Sequence, residues 1–178
     1  KDQNIYENFK EIKTKNLDEE SKTFYRDLEI DFKDAGHGLS GEKKDRLTEI
    51  EKKLIDLSIS FSENIAKDKT EVMFLEDELK GLSQNELKNL KKNNDSFVIT
   101  MAYPDINAVM ENCSVRKTRE IVWKAFNNRA VKENSPILEE AVQLRNEKAL
   151  LFGFKTWAEY RLQNRMAKSP KNVASMYE

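Results

Sequence analysis

The sequence predicts a mainly α fold: long antiparallel helices carrying one small two-stranded ribbon. Three observations predict it. Apolar residues recur at three- and four-residue spacing through most of the chain. Only five Gly and three Pro occur in 178 residues, too few for a turn-rich sandwich. Capping residues stand where the periodic runs begin and end. Charged residues make up 35% and hydrophobic ones 38%, which suits helices that bury one face and wet the other.

Residues 1–35 read as helix, with Phe24, Leu28 and Phe32 on one stripe and Tyr25 and Ile30 broadening it. Ala35-Gly36 ends it, glycine being suited to the left-handed cap. Ser40 opens a helix to about Lys67 on which Leu47, Ile50, Leu54, Leu57, Phe61 and Ile65 share a face. Ile55 and Ile59 flank that face and predict burial on more than one side, and the short connection makes the preceding helix the expected antiparallel partner. Val72–Leu75 and Phe97–Met101 are strand candidates that should pair as the ribbon. Between them Ser83-Gln84-Asn85-Glu86 forms a capping box for a short helix, and Asn93-Asn94-Asp95 a turn.

From Pro104 the chain is helical again. A short helix covers Asp105–Glu111, and Ser114 is placed to cap the next, which carries Ile121, Val122, Ala125 and Phe126. Ser135-Pro136 reads as the start of a further helix with Ile137, Leu138, Ala141, Leu144, Lys148 and Leu151 on its buried edge. Gly153 stops it, Thr156-x-x-Glu159 is a second capping box, and Ser169-Pro170 caps a last helix of about two turns. So short a capped helix at Glu178, and a start at Lys1 with neither Met nor signal-like segment, lead to the expectation of a parent chain continuing beyond both. The organisation expected is a single helical segment over 1–178: a helical hairpin at 1–68, a short ribbon and helix at 69–103, and helices at 104–178.

Composition narrows function. A net charge of −1 supplies no basic field for a nucleic-acid backbone. No apolar run approaches the ~20 residues that cross a bilayer. Cys113 is the single cysteine, so no disulfide forms within the chain, and the balance leans to a reducing compartment.

The chemical motifs weigh little. Gly36-His37-Gly38-Leu39-Ser40-Gly41 spells G-x-G-x-x-G, but a dinucleotide site needs a preceding strand, and an amphipathic helix stands there. A helix–helix turn is the preferred reading and nucleotide binding the alternative. His37 is the lone histidine, whereas a zinc peptidase helix needs two, one turn apart, with a glutamate base. It reads as a loop histidine. Cys113 has no partner base by spacing and reads as an inert thiol. Glu139-Glu140 reads as a solvated face. Arg116, Lys117, Arg119, Lys124 and Arg129, with Trp123 among them, bias one helix towards positive charge, and surface ion pairs are the expectation. Arg145, Glu147 and Arg165 stand in core-like segments, which predicts partial burial and pairing in a structural role. No residue is assigned as catalytic, cofactor-binding or metal-ligating.

The run Leu144-Arg145-Asn146-Glu147-Lys148-Ala149-Leu150-Leu151-Phe152-Gly153-Phe154, then Trp157–Tyr160 and Arg165–Pro170, resembles the thimet oligopeptidase and neurolysin family of zinc metallo-oligopeptidases. Leu54–Asn64, Phe74 with Glu78–Leu82, Thr100–Pro104, Ala125–Arg129 and Glu133-Asn134 resemble the same family in the same order, over about residues 28 to 178. The resemblance implies the N-terminal lobe of a neurolysin-like fold: a channel-wall segment of a zinc endopeptidase that hydrolyses short peptides. It implies no cofactor in this chain and zinc in the parent, held on a His-Glu-x-x-His helix that these residues do not include. The chain alone is then expected to be inactive, its partners being the C-terminal catalytic half of the same protein and, for the parent, short peptides. The cytoplasm is the expected location, an organelle the alternative. A free-standing, non-catalytic helical interaction module is the second functional reading.

Overall fold

The computed structural model describes residues 2–178; Lys1, read above as a boundary, lies outside the described residues. The fold is mainly α, with a small antiparallel sheet. Two compact units form, one from 1–57 with 139–178, the other from 58–138.

In the first unit the expected helix over 1–35 is broken. α1 spans Gln3–Lys10 and α2 spans Glu19–Asp34, with a single 3-10 turn at Thr14–Asn16 between them. Two aspartates set the starts: Asp2 accepts from the Asn4 N–H and Asp18 from the Ser21 N–H, both at 2.7 Å. A side chain that satisfies an orphan N–H in this way begins a helix and cannot sit comfortably within one. Phe24 is 64% exposed, so the buried stripe excludes it. Phe32 is buried instead, and Phe9 of α1 stacks on Tyr25 with centroids 4.4 Å apart.

α3 spans Gly41–Lys67, ending where the sequence predicts, and buries Leu47, Ile50 and Leu57. Ile55 and Ile59 are exposed, so this helix buries one side rather than several. α7 (Val131–Leu151) runs antiparallel to it within this unit. Arg46 meets Glu147 at 2.6 Å, Lys53 meets Glu140 at 3.4 Å, and Lys148 meets Glu51 at 2.6 Å. α8 (Trp157–Leu162) and α9 (Pro170–Ala174) follow. Gly153 ends α7 as expected, Thr156 accepts from the Glu159 N–H at 3.1 Å, and Ser169 accepts from the Asn172 N–H at 3.2 Å. Glu159 closes its box one residue early, on the Lys155 N–H.

The second unit contains β1 (Glu71–Phe74), α4 (Gln84–Asn89), β2 (Lys91–Asn93), β3 (Ser96–Thr100), α5 (Tyr103–Asn107) and α6 (Arg116–Asn127). β1 pairs with β3 as expected, Met73 opposite Val98, and the capping box at Ser83 forms in full. The ribbon gains a third strand, giving the order β1-β3-β2. Lys91-Lys92-Asn93 is polar on both faces, so period-two reading passed over it. Phe74, Leu79, Phe97, Ile99, Val109 and Val122 belong to one buried cluster that the helices close over the sheet.

Two expected helix starts move. Ser114 does not cap α6; its backbone N–H and its hydroxyl both donate to the Lys80 carbonyl, at 2.7 and 2.8 Å. α7 begins at Val131 rather than Ser135, which leaves Pro136 inside it. The earlier start is set from outside the helix: Asp68 accepts the Ala130 N–H at 2.8 Å, and Ala130 takes a φ of 50°.

Candidate functional site

The first unit carries a half-open cavity of about 440 Å³, within the range of small-molecule pockets, which is roughly 300–1,000 Å³. Its walls are built where two long helices end. α2 and α7 both close on glycines with positive φ, Gly36 at 84° and Gly153 at 83°. The terminal bonds match: Gly36 N–H to the Lys33 carbonyl at 2.8 Å and His37 N–H to Phe32 at 3.1 Å; Gly153 N–H to Leu150 and Phe154 N–H to Ala149, each 3.0 Å. The carbonyl ends of two helices therefore border one space, and each carries partial negative charge.

Aromatic rings supply four of the twelve lining residues: Tyr6, Phe152, Phe154 and Tyr160. Tyr160 is 3% exposed, lies parallel to Phe152 at 5.4 Å between centroids, and meets Phe154 edge-on at 5.5 Å. Across the pocket Tyr6 packs 4.6 Å from the His37 ring and 5.3 Å from Phe32. Ring pairs at such distances add to plain area burial. Burial pushes the Tyr160 phenol above its ordinary pKa, and the adjacent Asp34 carboxylate pushes it further, so this hydroxyl stays protonated.

His37 lies in the turn after α2, in keeping with its reading as a loop histidine, and is 6% exposed with its ring in the wall. Gln3 orients it. The Gln3 amide nitrogen donates to Glu7 at 2.8 Å, leaving its oxygen to accept from His37 Nδ1 at 2.9 Å. Lys10, at 2.5 Å from Glu7, and Gln3 hold the Glu7 carboxyl below the usual carboxylate range. Lys33, at the rim, pairs with Glu29 at 3.1 Å. No serine, threonine or cysteine lines the cavity among the described residues; its polar side chains are Tyr6, Lys33, Asp34, His37, Tyr160 and Gln163.

The remaining sequence candidates fall elsewhere. Cys113 is 3% exposed in the second unit, its sulfur 3.5 Å from the Glu78 carbonyl, and is packed as an inert thiol. The Gly36–Gly41 stretch is a turn between helices and follows no strand. Arg119 donates to the Cys113 carbonyl; Arg129 lies 3.8 Å over the Phe126 ring and donates to the Phe126 carbonyl at 2.9 Å; Lys124 pairs with Glu120 at 2.6 Å. Three of the five basic residues, Arg119, Lys124 and Arg129, thus spend their charge on the protein itself. Glu147 is paired and half-buried, but Arg145 and Arg165 are exposed, against expectation, because α7 turns the former outward and the latter follows the end of α8. Glu140 pairs with Lys53 while Glu139 is exposed. Among the described residues no three His, Cys, Asp or Glu side chains are grouped to hold a metal ion. Tyr6, Asp34 and Tyr160 were not singled out as site residues. The available signal was the density of aromatics around Gly153, which periodicity treats as ordinary core.

The family described as "Peptidase family M3" matches residues 109–178. The chain is 40% identical over 150 residues to the thimet-like oligopeptidase of Dictyostelium discoideum, covering 83% of this chain and 22% of that protein. It is 32% identical to the probable thimet oligopeptidase of Arabidopsis thaliana and 33% identical to saccharolysin of Saccharomyces cerevisiae; each alignment covers 93% of this chain and 24% of the relative. The chain therefore spans about a quarter or less of the length of these curated relatives.

Proposed function

Because the chain belongs to peptidase family M3, we propose that it is a non-catalytic, N-terminal-lobe segment of a longer peptide-hydrolysing enzyme. The observation that carries this reading is the 40% identity across 83% of the chain to an oligopeptidase more than four times the matched length. Its task there is steric. Long helices form part of a channel wall, and a narrow channel selects short flexible peptides over folded proteins. Its partner is the remainder of the same polypeptide, which carries the reaction.

Zinc peptidases hold the metal on three convergent side chains and leave one position open for the water that attacks the peptide carbonyl. The described residues offer no such group, so no catalytic step is assigned to this chain. No helix of the described residues is long and apolar enough to cross a membrane, and the relatives include both a probable cytosolic and an organellar oligopeptidase of Arabidopsis thaliana. The cytoplasm is the proposed compartment.

The test is a comparison of the 178-residue chain with its full-length parent, both exposed to zinc and offered a short quenched-fluorescent peptide. Turnover in the parent and none in the chain is the expected result. Turnover by the chain, with one tightly held zinc per molecule, would sink the proposal. Reading the parent transcript past Glu178 for His-Glu-x-x-His checks the same reading independently.

A further inference from the structure

We propose that the aromatic cavity of the first unit binds a small organic cation, a protonated amine on an apolar body, with the ammonium against Asp34 and the body among Tyr6, Phe154 and Tyr160. This does not rest on the family reading. Three independent features of the cavity select that chemistry. Its lining is rich in aromatic faces, whose negative quadrupole attracts a cation lying over them. One carboxylate, Asp34, lines it. The C-terminal ends of two long helices, α2 at Asp34 and α7 at Leu151, border it with partial negative charge.

Competing charges around the cavity do not cancel this preference. Among the described residues Lys33 is the lysine or arginine at the wall, and its ammonium is drawn to Glu29. His37 already donates Nδ1 to Gln3. The Tyr160 hydroxyl, kept protonated, can donate to Asp34 and steady the carboxylate without replacing an ammonium beside it. An anion would meet Asp34 and two carbonyl ends at once, and a neutral ligand would leave the carboxylate without a counter-charge in a partly desolvated site. The volume, about 440 Å³, admits a single-ring amine rather than a peptide of several residues.

The experiment titrates the 178-residue chain with 2-phenylethylamine, with 2-phenylethanol as the neutral isostere and with 3-phenylpropionate as the anion. Amide NMR shifts at Gly38, Gly153 and Tyr160 are followed. Fluorescence of Trp157, whose ring centroid is 5.2 Å from that of Tyr160, gives a second readout. The amine is expected to saturate the site at least about tenfold more tightly than the alcohol, equivalent to ~1.4 kcal/mol, with no saturable binding of the carboxylate. Asp34→Asn should erase the preference for amine over alcohol while leaving the alcohol's own affinity in place. Phe154→Leu should weaken the amine several-fold without erasing that preference. Equal binding of amine and alcohol, saturable binding of the carboxylate, or no saturable shift for any of the three would overturn the proposal. The ligand series is run on the unmutated chain, so the outcome does not depend on either variant folding.

Discussion

Asp68 shows how one side chain can place a helix far away in sequence. Its carboxylate accepts the Thr70 N–H at 2.8 Å and the Ala130 N–H at 2.8 Å, so it fixes both the exit from α3 and the entry to α7. Thr70 contributes most to holding this carboxyl below its ordinary pKa, with Ala130 and the Arg129 charge adding to it. The folded state thus binds fewer protons here than the unfolded state. The stabilisation is complete above the ordinary aspartate value of about 3.9 and is lost as pH falls through the lowered folded value. Asp68→Asn keeps one acceptor and turns an amide toward the other donor, costing about 1 kcal/mol near neutral pH, a modest figure because the group is partly solvated. Urea midpoints should show that gap unchanged from about pH 7 to 5 and closing below about pH 4. A gap that widens in acid would mean that the carboxylate does not hold this junction.

The connection between the 3-10 turn at Glu76–Leu79 and the π turn at Ala108–Asn112 depends on the absence of one atom. Gly81 has a φ of 105°, and a Cβ there would lie 2.2 Å from the Asn112 carbonyl oxygen and 2.8 Å from the Ser114 nitrogen. Both neighbours are backbone, so neither can rotate aside. Gly81→Ala should cost more than ~3 kcal/mol and lower the cooperativity of unfolding. Gly41→Ala is the matched control: nothing lies within 4 Å of its added Cβ and the position begins α3, so stability should rise by up to about 1 kcal/mol. Thermal melts of the two variants side by side check both signs. The same contrast explains what could be read from sequence. The caps at Ser83, Gly153 and Ser169 use atoms within a few residues, and the sequence shows them in place. The start of α7 depends on Asp68 and on buried Asn134, whose amide nitrogen donates to the Phe61 carbonyl at 3.1 Å and whose oxygen accepts from Asn64 at 2.9 Å. β2 depends on β3 for its pairing, and the cavity depends on rings from both ends of the chain. No local window contains those partners, so periodicity could not find them.

At the scale of the molecule the two units differ in how they can be assembled. All twelve residues of the large buried cluster lie in 58–138, a single continuous stretch. β3, the sheet's central strand, contributes Phe97 and Ile99 to it and buries Val98 on its other face, with α6 contributing Val122. The first unit is discontinuous: Phe9, Phe32, Leu47 and Ile50 come from the early chain, whereas Ala149 and Tyr160 come from beyond residue 138. Its closure entropy must be met before those contacts form, unless the intervening stretch is already compact. Residues 58–138 expressed alone are therefore expected to fold, with a lower midpoint than the whole chain because a smaller domain buries a smaller fraction of its surface. Residues 1–57 alone are expected to stay largely unfolded, since α1 and α2 keep their caps but lose the core supplied by α7 and α8. Amide exchange reads this directly. Val98 and Ile99 should be among the slowest-exchanging amides in both the 58–138 fragment and the whole chain, while α1 exchanges faster in the whole chain. Uniformly fast exchange in the 58–138 fragment would show that the sheet cluster needs the other unit, and that the protein folds as one cooperative body in spite of its division.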